Sequence, residues 1–278
     1  GYPVFADTAN GDYHLSDLSP AISAGTSSII IDGTTYTAPT TDLDGNSRPN
    51  PEGSTPDMGA YESDKGVDPN YAGPVWYVDG PAGVPYGNGG PGAPFTTIQA
   101  GIDAASNGDT VLVAAGTYVE NIDFSGKNIA VIGADRETTI IDGDSSGTVV
   151  TFGNAEDSTA VLSGFTLQNG AGSNGGGMHL SESNPTITNV TISGNTADYF
   201  AGGMYLGESN PTITNVTISG NTAGSSGGGI QCGDNSNPIL LNTIIAGNES
   251  NEIEFYSEAV SSTITISYSN IEGGQDSI

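Results

Sequence analysis

Asp42, Asp44 and Asn46 set three side-chain oxygens at alternate positions around Gly45, as the first half of a calcium loop does. Glu52 stands where the last ligand of such a loop would fall, but Pro49 and Pro51 break the helix that normally follows it. The same residues read equally as an Asx-rich turn capped by its own side chains. Calcium held by Asp42, Asp44 and Asn46 is one expectation and the self-capped turn is the other. Asp142-Gly143-Asp144 is a weaker calcium candidate of the same kind.

The remaining chemistry-bearing residues are few. His179 falls on the outward side of Met178-His179-Leu180 and has no carboxylate partner in its own repeat; His14 is a weaker candidate still. Glu182 and Glu208 occupy equivalent positions of two repeats, about 4.8 Å apart if the repeats stack as strands. Identical positions do not readily divide into acid and base, because that division needs different environments. They read as a solvated acidic rung. Cys232 is a lone cysteine at a position where sibling repeats carry leucine, so it reads as a small buried hydrophobe. No residue is assigned a catalytic role.

Charge narrows the function further. Thirty-two acidic residues face four basic ones (Arg48, Lys65, Lys127 and Arg136), a formal net charge of −28. Such a field repels nucleic acid and anionic membrane surfaces and favours solubility or cation capture. Lys127 and Arg136 are expected at the capping end of the repeats, away from any mid-helix groove where a lyase base would sit. No apolar run is long enough to insert in a membrane. The opening Gly1-Tyr2-Pro3-Val4-Phe5 reads as the middle of a segment, so a mature or excised fragment is expected.

These residues are positioned by a repeat. Glu182 through Ala197 recurs residue for residue as Glu208 through Ala223, an offset of 26, and a third copy, Asn237 through Asn248, follows at 27. Gly176-Gly177-Met178, Gly202-Gly203-Met204 and Gly228-Gly229-Ile230 keep step. Thr186-Ile187-Thr188 and Val190-Thr191-Ile192 alternate apolar and small polar residues, the two-residue period of a strand. One coil cannot bury its apolar row, so stacking must place Ile187 on Ile213 on Leu240, Ile192 on Ile218 on Ile245, and Leu180 on Leu206 on Cys232. The predicted fold is all-β: a right-handed parallel β-helix with coils of about 26 residues. Asn189, Asn215 and Asn242, and Asn195, Asn221 and Asn248, are expected to form amide ladders at the corners. N-glycosylation is the alternative at Asn189, Asn215 and Asn248, which match the acceptor pattern.

Phe95, Ile98 and Ile102 fall at helical spacing, with Thr96 or Thr97 as a cap, and Gly116-Thr117-Tyr118 follows in a strand. This opening resembles that of secreted right-handed β-helix proteins of the pectate-lyase-like and pectin-esterase-like families, in which an amphipathic helix caps the solenoid. The glycine and Gly-Asn-Thr-Ala repeats resemble those of polymorphic outer-membrane adhesins. Ser19 through Gly25, Thr41 through Pro49 and Asp57 through Glu62 resemble the closing segment of surface β-helix proteins with variable cell-anchoring tails. The resemblance implies a closing segment over 1–62, a linker over 63–74, and a β-helix over 75–278 with a capping helix near 95–105.

An ending followed by a beginning suggests a unit of a tandem array. The expected function is a non-catalytic structural or adhesive module, extracellular or at the cell surface, whose partners are copies of itself stacked head to tail into filaments. Ile239, Leu241 and Ile244 replace the outward Thr212, Thr214 and Thr217 and form the expected self-assembly contact. Asn251–Val260 folding over that patch is the alternative. The rival function is a β-helix that binds polysaccharide, through outward Asn, Thr and Tyr205, or degrades it as a lyase or glycoside hydrolase. Apart from calcium, no cofactor is expected.

Overall fold

The computed structural model describes residues 3–16, 19, 21–50, 52, 54–64, 71–80, 87–256 and 262–273. Pro51 of the calcium-loop reading, residues 65–70 of the expected linker and residues 257–260 of the expected covering segment lie outside the described residues. The chain forms two compact units, 1–96 and 97–278.

The second unit is a parallel β-solenoid. Each coil supplies a short strand to each of three sheets. Sheet one takes Thr186–Thr188, Thr212–Thr214 and Ile239–Leu241; sheet two takes Thr191–Ser193, Thr217–Ser219 and Ile244–Ala246; sheet three takes Met178–Ser181, Met204–Gly207 and Ile230–Cys232. A smaller sheet of Ala171–Asn174, Thr196–Phe200 and Thr222–Ala223 precedes sheet three in each coil. Ile187 pairs with Ile213 and that with Leu240, Ile192 with Ile218 and that with Ile245, and Leu180 with Leu206 and that with Cys232, as the repeat offset requires. All nine side chains are fully buried. Each such burial contributes about 1.5–3 kcal/mol against an exposed reference, and stacking is the only way a strand this short obtains it.

The corners follow from local chemistry. Asn189, Asn215, Asn242 and Tyr268 leave sheet one in the left-handed region, with φ of +53°, +56°, +49° and +53°. Asparagine tolerates that conformation better than most residues. Before sheet three the backbones of successive coils approach too closely for side chains. A Cβ on Gly203 would lie 2.4 Å from the Gly229 carbonyl oxygen and 2.8 Å from Ile218 Cγ2, which accounts for the glycine pairs of the repeat.

A helix, Ile98–Ala104, opens the unit. Thr97 Oγ1 accepts the Ala100 N–H at 3.3 Å, and the Glu120 carboxylate accepts the Ile98 and Gln99 N–H groups at 2.8 and 3.0 Å. Lys127 Nζ donates to the Ile102 and Asp103 carbonyls at the other end. Ile98 and Ile102 are buried against the first coils, as the helical spacing predicts.

The first unit contains two antiparallel hairpins, Phe5–Asp7 with Asp12–Leu15 and Ser28–Ile31 with Thr34–Thr37. The second hairpin is exposed on both faces. The strand Val75–Val78 buries Trp76, which stacks on Phe95 at 6.1 Å.

Candidate functional site

Sheet three carries one outward column that changes chemistry from coil to coil. Strand register aligns Asp123, Thr151, His179, Tyr205, Gln231 and Glu254. Their inward neighbours stay apolar throughout, so each outward side chain stands on a rigid strand. The His179 and Tyr205 rings stack, centroids 5.1 Å apart and planes 21° from parallel. His179 Nδ1 lies 3.2 Å from the Asn174 carbonyl oxygen, which fixes the imidazole at the corner with the smaller sheet. Phe200 and Tyr256 meet edge to face at 6.2 Å. Gln231 is buried, and its Oε1 accepts the Ser226 hydroxyl at 3.0 Å. Glu254 accepts from the Asn251 amide.

The electrostatics of this corner suit binding. Burial pushes the Tyr205 hydroxyl above its ordinary pKa, and the neighbouring Asp234 and Tyr256 push it further in the same direction. The phenol therefore stays a neutral donor at physiological pH. Asn174 Oδ1, beside His179, is buried without a hydrogen-bond partner among the described residues. Stacked rings with amide, hydroxyl and carboxylate groups in one file offer flat apolar faces beside directional hydrogen bonds, the combination that a sugar ring requires.

The predicted asparagine rows differ in role. Asn195, Asn221 and Asn248 form an inner ladder: the Oδ1 atoms of Asn221 and Asn248 each accept both the backbone and the side-chain N–H of the asparagine one coil earlier, at 2.9–3.0 Å. Their amides also donate to the Leu167, Ile192 and Ile218 carbonyls. Gly170 N–H begins this ladder, and the Glu252 carboxylate ends it, accepting from Asn248. Asn189, Asn215 and Asn242 form a more open ladder, amide to carbonyl, at 3.3 and 2.5 Å. A third ladder, of buried serines, was not anticipated: the Ser183, Ser209 and Ser236 N–H groups donate to the hydroxyls of Ser209, Ser236 and Ser262, and Ser183 donates to the buried Glu156. Its sequence signal was present in the recurring Glu-Ser-Asn-Pro.

The first unit places the calcium candidates as follows. The Asp42 carboxylate accepts the N–H groups of Asp44, Asn46 and Glu62 and the Asn46 amide. Burial pushes Asp42 up, and these four hydrogen bonds outweigh it and hold the carboxyl at about 2. Asp44 points away from that cluster to His14 Nε2, at 2.6 Å, while Asp12 meets Nδ1 at 2.5 Å. The hydrogen bonds that the Asp44 and Asp12 carboxylates accept from the ring raise the His14 pKa. His14 thus has two carboxylate partners, which the sequence spacing did not reveal. Among the described residues no group of three or more His, Cys, Asp or Glu is arranged to hold a metal ion.

Other candidates fall as follows. Cys232 is fully buried, and desolvation pushes its thiol up to about 12. Glu182 and Glu208 are exposed turn residues, both at φ +51°. Ile239 and Ile244 are 39% and 47% exposed, and Leu241 is half-buried. The three point sideways from their sheets, with Thr265, Ser267 and Asn270 of a further coil above them. Two expectations need correction. Ile253–Phe255 does not fold over this patch, because it pairs with Ile230–Cys232 as the next rung of sheet three. Nor is Arg136 confined to the capping end: its long side chain runs along the solenoid to the Asn215 carbonyl, 79 residues on, at 3.3 Å.

Comparison with known proteins bears on the second unit. The family model described as a right-handed β-helix region matches residues 121–278, more than half of the chain. Two solved structures are similar in fold. Pectin methylesterase PemA from Erwinia chrysanthemi is 13% identical, with a TM-score of 0.40 over 70% of this chain and 64% of that one. A pectin methylesterase in complex with hexasaccharide VII is 14% identical, with a TM-score of 0.38 over 63% and 61%. The chain therefore spans less than two thirds of the length of either. No curated protein matches by sequence.

Proposed function

The chain belongs to the right-handed β-helix family, and on that premise we propose that it is an extracellular adhesive module that holds an extended carbohydrate chain along the corner of sheet three without cleaving it. The observation that carries this reading is the stacked His179–Tyr205 pair in file with Glu254, flanked by Phe200 and Tyr256. A solenoid presents this file along its axis with one rung every ~4.8 Å, a repeating surface suited to a repeating polymer. Binding without cleavage is favoured by the partners of His179: its ring meets a backbone carbonyl and an aromatic face, and among the described residues no carboxylate orients it as a general base.

The test is affinity electrophoresis through gels containing neutral and acidic plant, algal and bacterial polysaccharides, with calcium and with chelator. Retardation by at least one polymer, lost in Tyr205→Ala and kept in Glu182→Gln, supports the reading. Equal mobility in every gel, or retardation untouched by Tyr205→Ala, would overturn it. The exposed Ile239 and Ile244 favour a second reading, self-association of copies, in which the contact is lateral because these side chains face sideways. Electron microscopy at rising protein concentration tests it: laterally joined particles dispersed by Ile239→Thr with Ile244→Thr support it, and monodisperse particles contradict it.

A further inference from the structure

A cleft of about 680 Å³ lies along the bend between sheets one and two, lined among others by Arg136, Asn215, Asn242, Ile244, Tyr268 and Asn270. It shares no residue with the sheet-three corner. None of its eleven lining residues is a carboxylate, in a chain with 32 of them, and it holds one of the four basic side chains. The Arg48 guanidinium is committed to Glu62, at 2.7 Å, whereas Arg136 meets no carboxylate among the described residues.

The lining is organised for a ligand. Arg136 Nη1 is anchored on the Asn215 carbonyl at 3.3 Å, and the remaining guanidinium N–H groups have no partner among the described residues. A guanidinium held by one nitrogen presents the rest of its fork to an anion. The Asn242 amide donates to Asn215 Oδ1 at 2.5 Å, while its own Oδ1 is left to accept. Tyr268 is 95% exposed and adopts φ +53°, a left-handed conformation uncommon for an aromatic residue, which carries its ring clear of the solenoid. Ile244 adds an apolar wall.

We propose that this cleft binds a glycan bearing one isolated anionic group, a carboxylate or a sulfate ester, on an otherwise neutral sugar chain. Arg136 takes the anion, the Asn215–Asn242 row takes hydroxyls, and the Tyr268 ring packs on a sugar face. The surrounding charge of −28 disfavours a densely charged polyanion, so the single substituent is part of the specificity. The inference does not rest on the sheet-three reading.

The experiment is isothermal titration of the full chain with sialyllactose (one carboxylate), sulfolactose (one sulfate), lactose and a short oligouronate. At least one of the two singly charged sugars is expected to bind ten-fold or more tightly than both lactose and the oligouronate. Which of the two binds identifies the anion. Arg136→Gln should erase that preference, Tyr268→Ala should weaken binding about ten-fold, and Glu182→Gln, in an exposed turn outside both sites, should leave it unchanged. Tyr268 projects into solvent, so its variant remains informative if Arg136→Gln disturbs folding. Absence of binding by both singly charged sugars, preference for lactose or for the oligouronate, or indifference to Arg136→Gln and Tyr268→Ala would each overturn the proposal.

Discussion

Replacing Asn221 by alanine removes the centre of the inner ladder while leaving the strand apolar face untouched. The Asn221 side chain accepts the Asn195 backbone N–H at 3.0 Å and the Asn195 amide at 3.0 Å, and donates to the Ile192 carbonyl and to Asn248 Oδ1. Asn195 is fully buried, so its backbone N–H then finds neither a partner nor bulk water, while its amide keeps the Leu167 and Ser193 carbonyls. At about 1–3 kcal/mol for a buried donor left unpaired, Asn221→Ala should cost about 2 kcal/mol. Asn215→Gly provides the contrast. It deletes a rung of the open ladder, but glycine accepts the φ of +56° without strain. That change should cost under ~1 kcal/mol. Urea denaturation followed by circular dichroism gives the two values, and hydrogen exchange read by mass spectrometry should localise the Asn221→Ala loss to the coils between 190 and 250. A loss below ~1 kcal/mol for Asn221→Ala, or an equal loss for Asn215→Gly, would refute the view that the inner ladder fastens coil to coil.

Gly203→Ala should cost ~1–3 kcal/mol by overpacking, measured by the same denaturation, because its Cβ would lie 2.4 Å from the Gly229 carbonyl oxygen. Cys232 should resist Ellman's reagent in the native protein at pH 8 and react on unfolding, since burial keeps the thiol protonated up to about 12. The His14 imidazole should titrate above its ordinary 6.5 by proton NMR, and Asp44→Asn should bring it down. The sign is that of a cation gaining partners: the stability His14 gives the first unit is complete below 6.5 and is lost as pH rises through its elevated pKa.

The solenoid core was legible because a strand period of two and a repeat offset of 26 leave one register for Ile187, Ile213 and Leu240. The asparagine ladders were legible for the same reason, though exposure, which depends on which side of the coil a corner faces, was not. The sheet-three corner was harder to see. His179, Tyr205 and Gln231 differ in type, so no motif unites them, and the one available signal was variation at a single outward position between constant apolar neighbours. Arg136 escaped because a long flexible side chain can reach along the stack, and sequence spacing carries no information about that reach. The His14 pairing with Asp44 depends on a contact across 30 residues of non-repetitive chain, where no period fixes the register.

The most direct measurement is a crystal structure of the protein soaked with oligosaccharides cut from whichever polymer retards it. The account predicts sugar density along sheet three, with one ring packed on Tyr205 or His179 and a hydrogen bond to Glu254. Density confined to other faces, with the His179–Tyr205 corner bare at saturating ligand, would contradict it.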